Sequence, residues 1–234
     1  MLKNQEQFFF FHIRKVGGTS LNESFFSLFS EQPSKVSELI RSSDDKIITL
    51  KNKKIVGANR TEIAKGDFYY AFSHAPFHEL TVPPTAFRIS LFRNPVERVL
   101  SHYRMLKLYK INGIKRKWMQ LESNWIGNSI SDFLEIAPKE RILNQLYTFS
   151  RSFDVQEAVN NIASLDFIFF TESFSKGISE LSTRIDKQLP IFHSHKTDYH
   201  LDLTEEDVNK VKNYTKAEFD MLNQFTDLYN EQYS

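Results

Sequence analysis

The sequence predicts an α/β fold with a mainly parallel central sheet flanked by helices. Two observations carry that expectation. Short apolar runs of strand length recur at Phe8–Ile13, Phe68–Phe72, Phe87–Phe92 and Phe167–Phe170. Amphipathic segments of helix length alternate with them, the pattern that parallel strands joined by helical crossovers produce. The 234 residues are 41% hydrophobic, which supports a sizeable core at about the length of one domain, so residues 1–234 are taken as a single one.

Taken in order, Phe8–Ile13 reads as a buried strand. After a glycine loop, Ser20-Leu21-Asn22-Glu23 has the form of a capping box, and Leu21, Phe25, Leu28 and Phe29 repeat at i, i+4, i+7 and i+8. A helix with one apolar stripe is therefore expected. Residues 31–66 are more polar, and Ile47–Leu50 with Ile55–Val56 make either a small hairpin or an irregular excursion. Strands follow at 68–72 and 87–92. Asn94 as N-cap with Pro95 at the first helical position then starts a helix of about four turns. Residues 107–130 mix basic and aromatic side chains with Gly113 and Gly127 and read as a long loop or broken helix. Helices are expected at 130–137, 139–150 and 155–165, then a strand at 167–170. Two late helices, at 173–187 and 204–229, the second broken, flank a histidine-rich loop at 193–200.

Thirty Lys and Arg against 29 Asp and Glu leave a formal charge of +1. There is no uniform basic field of the kind that carries non-specific nucleic-acid binding, so nucleic acid is not an expected partner and any anion site must be built locally. The lack of cysteine excludes disulfides, thiolate metal sites and cysteine nucleophiles. The apolar run at 8–13 is shorter than a signal-peptide core, and no stretch approaches the roughly 20 apolar residues that cross a bilayer. A cytoplasmic protein without a transmembrane segment is expected.

Two segments carry chemistry. The first is Phe11-His12-Ile13-Arg14-Lys15-Val16-Gly17-Gly18-Thr19-Ser20, at a strand-to-helix junction. Paired glycines let successive N–H groups turn toward one point, the helix start adds partial positive charge, and Lys15, Thr19 and Ser20 supply a cation and hydroxyls. That is an anion cradle, most naturally for a phosphate. It is not a Walker A loop, whose lysine directly follows the second glycine. The alternative is a tight turn with solvated basic neighbours.

The second is Phe92-Arg93-Asn94-Pro95-Val96-Glu97-Arg98, continuing to Ser101-His102-Tyr103. A strand ending in arginine and a capped helix start bring Arg93 and Ser101 near one helical face, where both can hold a second phosphate. The alternative pairs Arg93 with a carboxylate and leaves Ser101 a surface hydroxyl.

Together the two segments resemble motifs of the PAPS-dependent sulfotransferases, in particular the branch of heparan sulfate 2-O-sulfotransferase and carbohydrate sulfotransferases. The first is similar to the 5′-phosphosulfate loop, commonly Pro-Lys-Thr-Gly-Gly-Thr-Ser. The second is similar to the 3′-phosphate motif, commonly Arg-Asp/Asn-Pro, then Glu-Arg, then Ser-x-Tyr. Gly18 and Arg93 stand 75 residues apart, which matches the family's order and spacing. Looser similarity continues through Asn144-Gln145, Thr171-Glu172 and His195-Lys196-Thr197. Arg14 stands where the family usually has proline, and Val16 where it has threonine.

The resemblance implies a P-loop-like three-layer fold and transfer of a sulfo group from PAPS, leaving PAP, to a hydroxyl acceptor, most readily a carbohydrate. It places Arg14, Lys15, Gly17, Gly18, Thr19 and Ser20 at the 5′-phosphosulfate, Arg93 and Ser101 at the 3′-phosphate, and Lys196 near the nucleotide phosphates. It makes Lys15 a catalytic residue on the leaving-group side. His74 resembles the Gly-His segment that carries the family's base, with His78 and Glu79 as alternatives; no metal is implied. Lys107, Lys110, Lys115, Arg116 and Lys117, interleaved with Tyr109 and Trp118, form either an acceptor-binding segment or a solvated basic surface. Two other functions compete: a nucleotide-dependent kinase, and a non-catalytic nucleotide- or glycan-binding protein on the same scaffold. Acceptor identity and oligomeric state are not encoded in any motif.

Overall fold

Four phenylalanines set the centre of the sheet. In the computed structural model, which describes residues 6–113, 117–193 and 201–233, β1 (Phe8–Phe11) is buried at every position. A strand covered on both faces and paired on both edges reads as a continuous apolar run, not an alternating one. The chain then forms α1 (Gly18–Phe26), α2 (Pro33–Ser42), β2 (Ile47–Leu50), β3 (Lys53–Gly57), α3 (Arg60–Lys65), β4 (Tyr70–Ser73) and β5 (Phe87–Phe92). It continues through α4 (Pro95–Ile111), α5 (Lys117–Ser123), α6 (Ile130–Ile136), α7 (Lys139–Ile142), α8 (Asn144–Phe149) and α9 (Val155–Ala163). Last come β6 (Phe167–Phe170), α10 (Phe174–Ile185), α11 (Glu205–Tyr214) and α12 (Lys216–Tyr233). These make two compact units, one of Met1–Phe92 with Asn161–His195, the other of Arg93–Asn160 with Lys196–Ser234.

The first unit holds the six-stranded sheet, in the order β2-β3-β4-β1-β5-β6. Every pairing is parallel except β2 with β3. Phe8 lies opposite Tyr70 of β4 and Phe87 of β5, and Phe11 opposite Ser73 and Ser90. The expected mainly parallel sheet with flanking helices is thus observed. The excursion at 47–56 is a hairpin: Lys51 and Asn52 both take positive φ, 48° and 59°, the two-residue geometry that matches strand twist.

Helix α1 packs on β4. Leu21, Phe25 and Phe26 are fully buried, Phe25 stacks on Tyr70 with centroids 4.2 Å apart, and the Tyr70 hydroxyl donates to Asn22 Oδ1 at 2.7 Å. That buried hydrogen bond satisfies both groups and fixes α1 on the sheet.

Several boundaries differ from the sequence expectation. The first strand stops at Phe11. Helix α1 begins at Gly18 with Gly17 as its uncapped N-cap, so Ser20 and Glu23 form no capping box and are buried within the helix. Genuine capping boxes sit at Ser129/Asp132 and Thr204/Asp207. Helices α2 and α3 arise in the polar stretch, where Pro33 at the first turn and the Asn59 side chain at the N-cap start them; their buried stripes, Val36 with Ile40 and Ile63 alone, are too short to give a periodic signal. The segment 139–150 breaks at Leu143. The last helix breaks at Thr215, as expected.

Candidate active site

In the first unit, the five parallel strands β3, β4, β1, β5 and β6 bring their C-terminal ends to one edge of the sheet, where ligands of open α/β sheets bind. The end of β1 turns through residues 12–17 into α1. Lys15 and Gly17 both adopt left-handed backbone, at φ 68° and 88°. The first N–H groups of a helix have no intrahelical partner, and no side chain caps α1. The two glycines serve different ends. Gly17 supplies the positive φ, whereas a Cβ on Gly18 would lie 2.2 Å from the His12 ring and 3.0 Å from Phe10 Cε1. Gly18→Ala is expected to cost about 2 kcal/mol of stability, as overpacking does; chemical denaturation of the variant at wild-type stability would contradict that geometry.

Around the turn, Arg14, Lys15 and Thr19 are half-buried and Ser20 is buried. Val16, where the family has threonine, turns its side chain wholly into the core, so its contribution to the loop is backbone only. The Val16 carbonyl accepts from the Thr171 hydroxyl, which also lies 3.0 Å from the Phe92 carbonyl. Thr171 thereby ties the turn to the end of β5. Sequence reading gave Thr171 no site role, and its position directly after β6 was the available signal.

His74 directly follows β4. Its Nδ1 lies 2.5 Å from the His12 carbonyl, a group that only accepts, so Nδ1 carries a proton and Nε2 is the nitrogen left to accept one. The two imidazole rings are 4.1 Å apart. Burial first, then the neighbouring charges of His74 and Arg14, push His12 well below the usual histidine range, so His12 stays neutral beside His74. His12 is buried, as expected, but its Nδ1 has no hydrogen-bond partner among the described residues. The alternative bases stand on the turn Phe77–Glu79, where Glu79 pairs with Arg60 and lies 4.0 Å from His78 Nε2.

In the second unit, Arg93 stands between β5 and α4. Asn94 Oδ1 accepts from the N–H groups of Val96 and Glu97 at 3.0 and 3.3 Å, and Pro95 opens the helix, as its sequence predicts. Arg93 Nη2 lies 3.4 Å from Glu97 Oε2, and Arg104 Nη1 3.9 Å from the same oxygen. Ser101 falls between Glu97 and Arg104 at helical spacing, so these three share one face of α4. His102 is buried against Glu122 at 3.4 Å.

Behind Arg93 lies a buried network that sequence reading missed. Gln145 Oε1 accepts from the Arg93 N–H at 2.9 Å, and Gln145 Nε2 donates to the Arg93 carbonyl at 3.0 Å. The Glu218 carboxylate accepts from Gln145 Nε2 at 3.2 Å and from the main-chain N–H groups of Gln145 and Leu146 at 2.7 and 3.3 Å. Arg98 Nε lies 3.7 Å from Glu218, both side chains fully buried, and Arg98 Nη2 donates to the carbonyls of Arg141 and Ile142. Burial pushes the Glu218 carboxyl up and the Arg98 guanidinium down from their usual values, and each opposite charge resists the other's shift. A signal existed: Glu218 shares the stripe of Met221, Leu222 and Phe225 at i, i+3, i+4 and i+7, all buried.

Lys196, His195 and His200 lie outside the described residues, as do Lys115 and Arg116. Lys107 and Lys110 belong to α4, which extends through Ile111, and Lys107 Nζ sits 5.2 Å over the Tyr103 ring. Among the described residues no helix is long and apolar enough to cross a membrane.

The sulfotransferase family model matches residues 1–224. The chain therefore belongs to the sulfotransferase family, whose members move a sulfo group, generally from PAPS, to a hydroxyl acceptor. Membership sets aside the kinase alternative. No curated protein matches the chain.

Proposed function

We propose that the protein is a PAPS-dependent sulfotransferase acting on a hydroxyl of a carbohydrate, and that it works in the cytoplasm, consistent with its lack of cysteine. The family match runs through both compact units, which supports reading 1–234 as one sulfotransferase module. The observation that carries the proposal is the β1–α1 junction, with Lys15 and Gly17 left-handed and an uncapped helix start behind them. Such a turn aims backbone donors at a phosphate, and the missing Cβ of Gly18 lets the helix start pack directly on His12. These residues fit a nucleotide 5′-phosphosulfate.

When bound, PAPS supplies the sulfo group and a 5′-phosphate leaving group. Lys15 and the main-chain N–H groups of residues 16–19, with Thr19 and Ser20, would hold the 5′ end, and Arg14 would add charge there; the Ser20 N–H itself donates to the Gly17 carbonyl. Arg93 and Ser101 would bind the 3′-phosphate, and the family resemblance assigns Lys196 to the nucleotide phosphates. On the acceptor side, His74 would take the hydroxyl's proton on Nε2. Lys15 would neutralise charge on the leaving oxygen of the 5′-phosphate. Lys107 and Lys110 offer cations to an anionic glycan.

Titration calorimetry tests the nucleotide assignment. PAP should bind wild type, and Arg93→Ala should weaken it by about 10–100-fold, the value of a charge-assisted hydrogen bond. Unchanged PAP affinity would remove Arg93 from the site. PAP binding with no sulfo transfer to any of a panel of desulfated polysaccharides would identify a binder instead of a carbohydrate sulfotransferase.

A further inference from the structure

We infer that Gln145, held by Glu218 and Arg98, is a positioning residue that fixes the main chain of Arg93 and so sets where its guanidinium meets the nucleotide 3′-phosphate; this rests on the role proposed for Arg93. Arg93 occupies the junction between a strand and a helix, where neither a sheet ladder nor a helix dictates its backbone. Gln145 takes over that function by gripping the Arg93 peptide at two points, one donor and one acceptor. The orientation of the Gln145 amide is forced, because the Arg93 carbonyl can only accept and its N–H can only donate.

The clamp is itself anchored. Gln145 is fully buried, and its main-chain N–H and its Nε2 both reach the Glu218 carboxylate. Glu218 in turn faces Arg98 on α4, five positions beyond Arg93, and the same guanidinium holds the carbonyls at the end of α7. Helix α12, the α7–α8 corner and the first turn of α4 are thereby locked around one junction residue. Arg98 Nε and Nη1 make no hydrogen bond among the described residues, so the directional part of the network is the chain from Glu218 through Gln145 to Arg93, and a phosphate ligand needs its arginine held to within a fraction of an ångström. None of the three network side chains needs to touch the nucleotide.

The test compares PAP with adenosine 5′-phosphate, which lacks the 3′-phosphate, by calorimetry on wild type, Arg93→Ala, Gln145→Met and the double variant. Methionine approximates the volume of glutamine without its hydrogen bonds. The expected result is a loss of about tenfold in PAP affinity for Gln145→Met with less than twofold loss for adenosine 5′-phosphate, and a double variant no weaker than Arg93→Ala alone. Equal weakening of both nucleotides, or an unchanged PAP affinity for Gln145→Met while Arg93→Ala weakens it, overturns the inference and leaves the Arg93 assignment intact. An Arg93→Ala protein that binds PAP like wild type overturns both. Should Gln145→Met fail to fold, Gln145→Asn, which keeps the amide but withdraws it by one methylene, is subject to the same comparison.

Discussion

Lys15→Ala is expected to lower turnover by about 10²–10³-fold, the loss typical of removing one group that stabilises charge at the reacting atoms. The effect should fall on kcat, since the charge it offsets develops only as the bond to the leaving oxygen breaks. The fold should survive. Lys15 already sits in left-handed backbone at φ 68°, where alanine meets the same modest strain as any residue with a Cβ, and its side chain is only half-buried. Lys15→Arg keeps the charge but spreads it over a planar fork, so it should recover part of the rate and not all of it. Release of PAP from PAPS with desulfated heparin as acceptor measures the rate, and thermal unfolding reports the fold. A Lys15→Ala enzyme within tenfold of wild type would remove the lysine from the chemistry.

His74→Asn should cost about 10²–10⁴-fold in kcat, the range for losing a general base. Asparagine is chosen because its amide can still donate to the His12 carbonyl, the contact that orients the imidazole, yet it has no basic nitrogen. PAP affinity should change less than twofold, since His74 is assigned to the acceptor and not to the nucleotide. If rate and PAP affinity fell together, the residue would be shaping the cradle through His12. If neither changed, the base would lie elsewhere, with the His78–Glu79 turn next to be tested.

The centre of the sheet was readable because β1 is buried at every position, and a continuous run such as Phe8–Phe11 announces itself without reference to any partner. The donor turn was readable for a similar reason: Lys15, Gly17 and Gly18 are local in sequence. What the sequence did not disclose depends on distant neighbours. Gly18 is required by the ring of His12 pressed against it, a contact no glycine pattern reveals. Gln145 acts on Arg93 from 52 residues away and on Glu218 from 73, and only the carboxylate within the apolar stripe of α12 hinted at a partner. Helices α2 and α3 were obscured by their polar surroundings, and Ser20 was misread as a cap because the left-handed Gly17 starts the helix earlier.

The central place of β1 also has a consequence for the birth of the protein. Its partners β4 and β5 lie 62 and 79 residues further along the chain at the register of Phe8. At synthesis rates of about 5–20 residues per second, the second partner follows roughly 4–16 s after β1 leaves the ribosome. During that interval Phe8–Phe11 is an uncharged, proline-free segment of strand-forming residues with nothing to pair with, the composition that seeds intermolecular β-structure. The strand that delivers the donor turn is therefore the one a nascent chain most needs shielded, and chaperone occupancy should peak before residue 87 has emerged.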